Sequence, residues 1–160
     1  MQLNVGGYIL DINIEKNKNF YKNEIYVSQG CECDGCQNYE LAVAKVSLEV
    51  SKLFEQLGVD IKKPAEICVY YSDKDILCYG GFYHICGRLI EGVSHWESTL
   101  ETKESTTTHL VEDKMINITN DFKVSYQEEC SLVSENFPTP CIQMEILTYL
   151  PWLLEKLNTY

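Results

Sequence analysis

The sequence predicts an α+β fold, and three observations carry that prediction. Short runs of β-forming residues with period-two alternation recur along the chain, one stretch near residues 36–57 repeats apolar residues at three- and four-residue steps, and 45% hydrophobic with 23% charged residues suits a packed core. The expected architecture is an antiparallel-rich sheet of about five to seven strands, with one main amphipathic helix on a face and a short C-terminal helix. The 160 residues fit a single domain, and neither an internal repeat nor a Pro/Gly/Ser-rich linker divides them.

Residues 3–14 place Tyr8, Leu10, Ile12 and Ile14 on one parity and Asp11 and Asn13 on the other, the pattern of a half-buried strand that Gly6-Gly7 bends or starts. Residues 15–23 are mostly Lys and Asn and are expected to connect. Glu24 to Ser28 is a second short strand, leading into a cysteine-rich turn. The main helix is placed at about 36–57, with Val43, Val46, Val50, Leu53, Phe54 and Leu57 on one side and Lys45, Glu49, Lys52 and Glu55 mostly on the other. Asp34-x-x-Gln37 as a capping box, or Asn38 as N-cap, would open it, and Gly58 would close it.

Residues 66–71 and 76–86 form a predicted hairpin turning at Ser72-Asp73-Lys74-Asp75, and Gly80-Gly81 inside its second strand implies a bulge or a close backbone approach. Residues 97–114, rich in Thr, Ser and Glu without periodicity, are expected to be a loop. Strands follow at 115–119 and 122–126, then at 141–149, where Ile142, Met144 and Ile146 oppose Gln143 and Glu145. Pro151 suits the first position of a helix docking through Trp152, Leu153 and Leu157.

Thirteen Lys and Arg against 24 Asp and Glu give a net charge of −11, a field that repels phosphate backbones and anionic membranes. Nucleic acid and membrane are therefore not expected as partners, whereas a basic protein partner is compatible with the charge. No stretch approaches the ~20 apolar residues of a spanning helix. The N-terminus lacks a basic start and its apolar run is cut by Asp11, so a cytoplasmic protein is expected. Thiols stay reduced there, which turns attention from disulfides to other uses of the eight cysteines.

Cys31-Glu-Cys33-Asp-Gly-Cys36 puts three thiols within six residues just before the helix. Two thiolates of a Cys-x-x-Cys loop can converge on one zinc ion and Cys31 can add a third, leaving a fourth tetrahedral position for His84, Cys86, Cys78 or Cys68. A second reading is redox: thiols at a helix N-terminus feel the partial positive charge of its unpaired N–H groups, although Glu32 and Asp34 oppose thiolate formation. The third reading is a small-residue turn with inert thiols. His84 and Cys86 stand side by side on one strand, at about 7 Å, and do not suit a nucleophile–base pair. His95 and His109 are expected at the surface, and the aromatics Tyr70, Tyr71, Tyr79, Phe82 and Tyr83 suit either a two-sided core or a binding surface. No phosphate loop, Gly-x-Ser-x-Gly or His-Glu-x-x-His motif is present.

The segments 31–39, 54–66, 79–87 (Tyr-Gly-Gly-Phe-Tyr-His-Ile-Cys-Gly) and 150–153 (Leu-Pro-Trp-Leu) resemble a family of small bacterial cytosolic proteins, chiefly from Firmicutes, for which no activity is known. The resemblance implies that Cys31, Cys33, Cys36 and His84 belong to recurring motifs and implies no reaction. The expectation taken forward is a non-enzymatic protein with a structural zinc. Its alternatives are an acidic interaction module of the immunity or antitoxin kind and a thiol-based redox enzyme or sensor.

Overall fold

The computed structural model describes residues 1–100 and 106–160. Strands β1 (Gln2–Val5) and β2 (Tyr8–Ile12) form a hairpin through Gly6 and Gly7, whose φ values of 54° and 99° favour glycine. Helices α1 (Ile14–Asn23), α2 (Val27–Gly30), α3 (Asp34–Val43) and α4 (Leu48–Leu57) follow. The chain then runs through β3 (Glu66–Asp73), β4 (Ile76–Glu91), β5 (Trp96–Leu100), β6 (Thr106–Leu110), a 3-10 turn at Glu112–Lys114, β7 (Ile116–Thr119), β8 (Phe122–Gln127) and β9 (Cys141–Pro151).

Among the described residues seven strands make one antiparallel sheet, in the order β1-β2-β4-β9-β8-β7, and β3 also pairs with β4. The 16-residue β4 makes this possible. Its first half pairs with β3 and its last residues pair with β2, while β9 runs beside it from Ile76↔Pro151 to Cys86↔Cys141 without a register shift. Alternation then sorts the side chains into two faces. Leu77, Tyr79, Tyr83 and Ile85 of β4, with Ile142, Met144 and Ile146 of β9, bury against Tyr39 and Val43 of α3 and Val50, Phe54 and Leu57 of α4. The opposite face carries Phe82, His84, Gln143 and Glu145, also buried, while β5 and β6 form a separate two-stranded hairpin. Among the described residues no helix is long and apolar enough to cross a membrane.

Several expectations are corrected. The polar stretch 15–23 is helix α1, capped by the Asn13 side chain accepting from Lys16 N–H. Residues 24–28 are not a strand; they enter α2. The single helix at 36–57 is two helices, because Ser47 caps α4 by accepting from Val50 N–H and so starts a new axis. Asn38 is no cap. Its buried amide donates to Tyr79 Oη and Pro151 O and its carbonyl accepts from Leu153 N–H at 2.6 Å. Those bonds, with Trp152 N–H to Asp75 O, go with an irregular chain after Pro151 where a C-terminal helix was expected. The expected loop at 97–114 is largely hairpin and 3-10 turn, apart from 101–105, which lie outside the described residues.

The glycine pair in β4 answers to close approach and not to a bulge in β4 against β9. A Cβ on Gly80 would lie 2.2 Å from the Tyr70 ring, and one on Gly81 would lie 2.2 Å from Glu66 O.

Candidate metal centre

The cysteine turn is shaped by two helix ends meeting. Cys31 N–H closes α2 on Val27 O at 3.0 Å, the chain is extended at Cys31 and Cys33, and α3 begins at Asp34. Cys33 is the N-cap of α3, its Sγ accepting from Cys36 N–H at 3.4 Å. An N-cap side chain and the side chain three residues on face each other, so the cap geometry itself turns Cys33 toward Cys36. Cys31 Sγ donates to Cys33 Sγ at 3.2 Å, and the three sulfurs all lie within 4.8 Å of one another. Tetrahedral thiolates at ~2.3 Å from zinc stand about 3.8 Å apart, so the trio needs only small shifts to hold an ion.

The C-terminal segment braces the turn. Gly35 N–H donates to Tyr160 Oη at 2.9 Å, Lys156 pairs with Asp34, and Gln37 Nε2 donates to Glu32 O at 2.7 Å. A Cβ on Gly35 would meet Tyr160 Oη at 2.8 Å and Val69 Cγ2 at 3.0 Å, so glycine lets α3 start this close to β3.

The trio divides into an acceptor and its donors. Partial burial resists ionisation of Cys33, yet the Cys36 N–H and the Cys31, Cys36 and Tyr160 hydrogen bonds hold its thiol below the ordinary value. Burial, then donation to Cys33 and Cys31, pushes Cys36 far up. A divalent cation bound here would take the place of the thiol protons that now link the three sulfurs.

His84 stands apart from this group. Its Nε2 lies 2.9 Å from Ser131 O, and since a carbonyl only accepts, Nε2 carries the proton; burial lowers its pKa. It does line the same cavity of about 430 Å³ as Cys31 and Cys36. Cys78 packs with Met115 and Leu147, and Cys86 lies in the main core opposite Cys141. Cys68, exposed on β3, is the one of these four whose ionisation is opposed by Cys33 and Cys31, after burial and Glu66.

The chain matches no family model, no curated protein and no solved structure.

Other side chains fall unevenly. Tyr70 and Tyr71 are exposed while Tyr79, Phe82 and Tyr83 are buried, so the hairpin aromatics serve both core and surface. His109 is exposed, but His95 is half-buried against Tyr8, 3.2 Å from its hydroxyl. Cys130 and Cys141 form a second thiol pair at 3.4 Å, with no short sequence spacing to announce it. The buried Gln143 and Glu145 were also hidden, because polar alternation in a strand ordinarily marks a solvent face, and here the β5–β6 hairpin, represented by Trp96 and Thr108, flanks that face instead.

Proposed function

We propose that this chain is a zinc protein in which Cys31, Cys33 and Cys36 hold the ion as thiolates, the role of the ion being structural. The observation that supports this is the convergence of three sulfurs within 4.8 Å at the junction of α2, α3 and the C-terminal segment. Zinc there would add a covalent-strength tie to elements already joined by part-buried hydrogen bonds such as Gly35 N–H to Tyr160 Oη.

Elemental mass spectrometry of protein purified without chelator should find about one zinc per chain, with Cys31, Cys33 and Cys36 protected from alkylation. Cys33→Ser and chelator should each lower the melting temperature by several degrees. Metal-free protein with eight freely titrating thiols and melting unchanged by chelator would refute the reading. A thiol redox role is favoured by one observation, the lowered Cys33 pKa beside a partner thiol at 3.2 Å. Its signature in the same experiment is a metal-free protein in which Cys33 alkylates much faster than the other thiols.

A further inference from the structure

On the sheet face away from the helices, Glu145 projects from the middle of β9 and is only 5% exposed. Its Oε1 accepts from Gln143 Nε2 at 2.6 Å and Gln127 Nε2 at 3.0 Å, and the Trp96 indole is a further neutral donor. Gln143 is itself fixed, its Oε1 accepting from Ser131 N–H at 2.7 Å. A buried carboxylate normally has a cationic partner, because neutral donors only partly replace the water it has lost. Among the described residues no Lys, Arg or His lines the cavity of about 560 Å³ that Glu145 borders. Two more carboxylates, Glu66 and Glu129, do line it.

The walls are aromatic. Tyr70, Phe82 and Trp96 border the cavity, and the bare backbone of Gly80 seats the Tyr70 ring against the sheet. A buried carboxylate, aromatic faces and an acidic rim together select for positive charge with an apolar body. A metal ion fits poorly. Outside the cysteine turn, no three His, Cys, Asp or Glu side chains among the described residues bring ligand atoms within 4.8 Å of one another, so these carboxylates are spread around a larger ligand. Anions would meet the like charge of all three.

We infer that this cavity binds a small organic ammonium ion, with Glu145 as the counter-charge and Tyr70, Phe82 and Trp96 as the faces that pack on it. Burial raises the Glu145 pKa against the neutral donors Gln143, Trp96 and Gln127. The inference is independent of the zinc reading.

The test is calorimetric titration of the full chain with 1,5-diaminopentane and with tetramethylammonium, using 1,5-pentanediol as the uncharged control. At least one ammonium should bind saturably and the diol should not. Glu145→Gln, which keeps the size and the capacity to accept, should weaken binding about tenfold or more, equal to ~1.4 kcal/mol. Tyr70→Leu, at an exposed position, should weaken it roughly two- to fivefold. Failure of both ammonium ions to bind at about 10 mM, ten times a millimolar Kd, overturns the inference, as does equal binding of the diol or undiminished binding by folded Glu145→Gln. Should that variant not fold, Tyr70→Leu and Glu129→Gln decide: weakened binding in either supports the site, and unchanged binding in both overturns it.

Discussion

Glu145 makes a prediction about pH whose sign follows from its surroundings. Burial raises its pKa from 4.5, outweighing the lowering by Gln143, Trp96 and Gln127, and Glu66 adds to the rise. The folded chain therefore holds this proton more tightly than the unfolded chain. Between the unfolded and folded pKa values the native state binds more protons, so the contribution of this residue to stability falls as pH rises through that window. Glu145→Gln removes that dependence. Its melting temperature relative to wild type should climb as pH rises from about 4 toward neutrality and then level off; a relative melting temperature that fell over the same range would contradict the burial argument. Asn17 shows a different use of a buried polar group. Fully buried, it donates to Leu57 O and accepts from Cys86 N–H, both at 2.7 Å, tying α4 and β4 to α1. Asn17→Ala leaves two buried backbone groups unpaired and should cost roughly 2–4 kcal/mol in urea unfolding. A loss under about 0.5 kcal/mol, the level of an ordinary surface substitution, would mean water takes over both bonds.

At the scale of elements, the same residue explains why α1 was hidden in the sequence. The helix packs Ile14, Phe20 and Tyr21 on the core, but buried Asn17 interrupts that face among exposed Lys and Asn, and the Asn13 cap resembles any loop asparagine. The strands were legible because their alternation is local: 66–71, 76–86, 122–126 and 141–149 all fall within observed strands. The cysteine turn was legible too, since thiols two, three and five residues apart at a helix N-terminus have few ways to diverge. Its brace from Tyr160 and Lys156 was not, because the approach of the C-terminal segment to α3 is a tertiary fact. The break between α3 and α4 was obscured by apolar residues continuing in step from Val43 through Val46 to Val50, while the signal that mattered was the single hydroxyl of Ser47. Ser47→Ala should therefore destabilise by about 1 kcal/mol, the usual value of a lost N-cap. Ser47→Asp, which keeps an acceptor at the same place, should restore most of it. If Ser47→Ala is neutral, the direction change is imposed by packing of α4 against β7 and α1, and the cap is incidental.

For the whole molecule, charge is the dominant property. With 24 acidic against 13 basic side chains, each added anion in the folded state meets a net repulsive field, and among the described residues the ion pairs that offset it are mostly exposed and so individually weak. Raising ionic strength from about 0.01 to 0.1 M shortens the screening length from ~30 to ~10 Å, which removes long-range repulsion and touches contact pairs less. Sodium chloride should thus raise the melting temperature by a few degrees over that range and then level off. A melting temperature that fell with salt would mean that pairs such as Lys123–Glu112, at 2.6 Å, outweigh the repulsion. The same field attracts cations indiscriminately, which sets the condition under which the zinc reading can be judged. Equimolar zinc at micromolar concentration adds almost nothing to ionic strength, so stabilisation by zinc in 0.1 M salt, absent with magnesium and reversed by chelator, can only come from a site. Equal stabilisation by the two metals would assign the effect to the net charge of −11 and leave the cysteine turn without a metal.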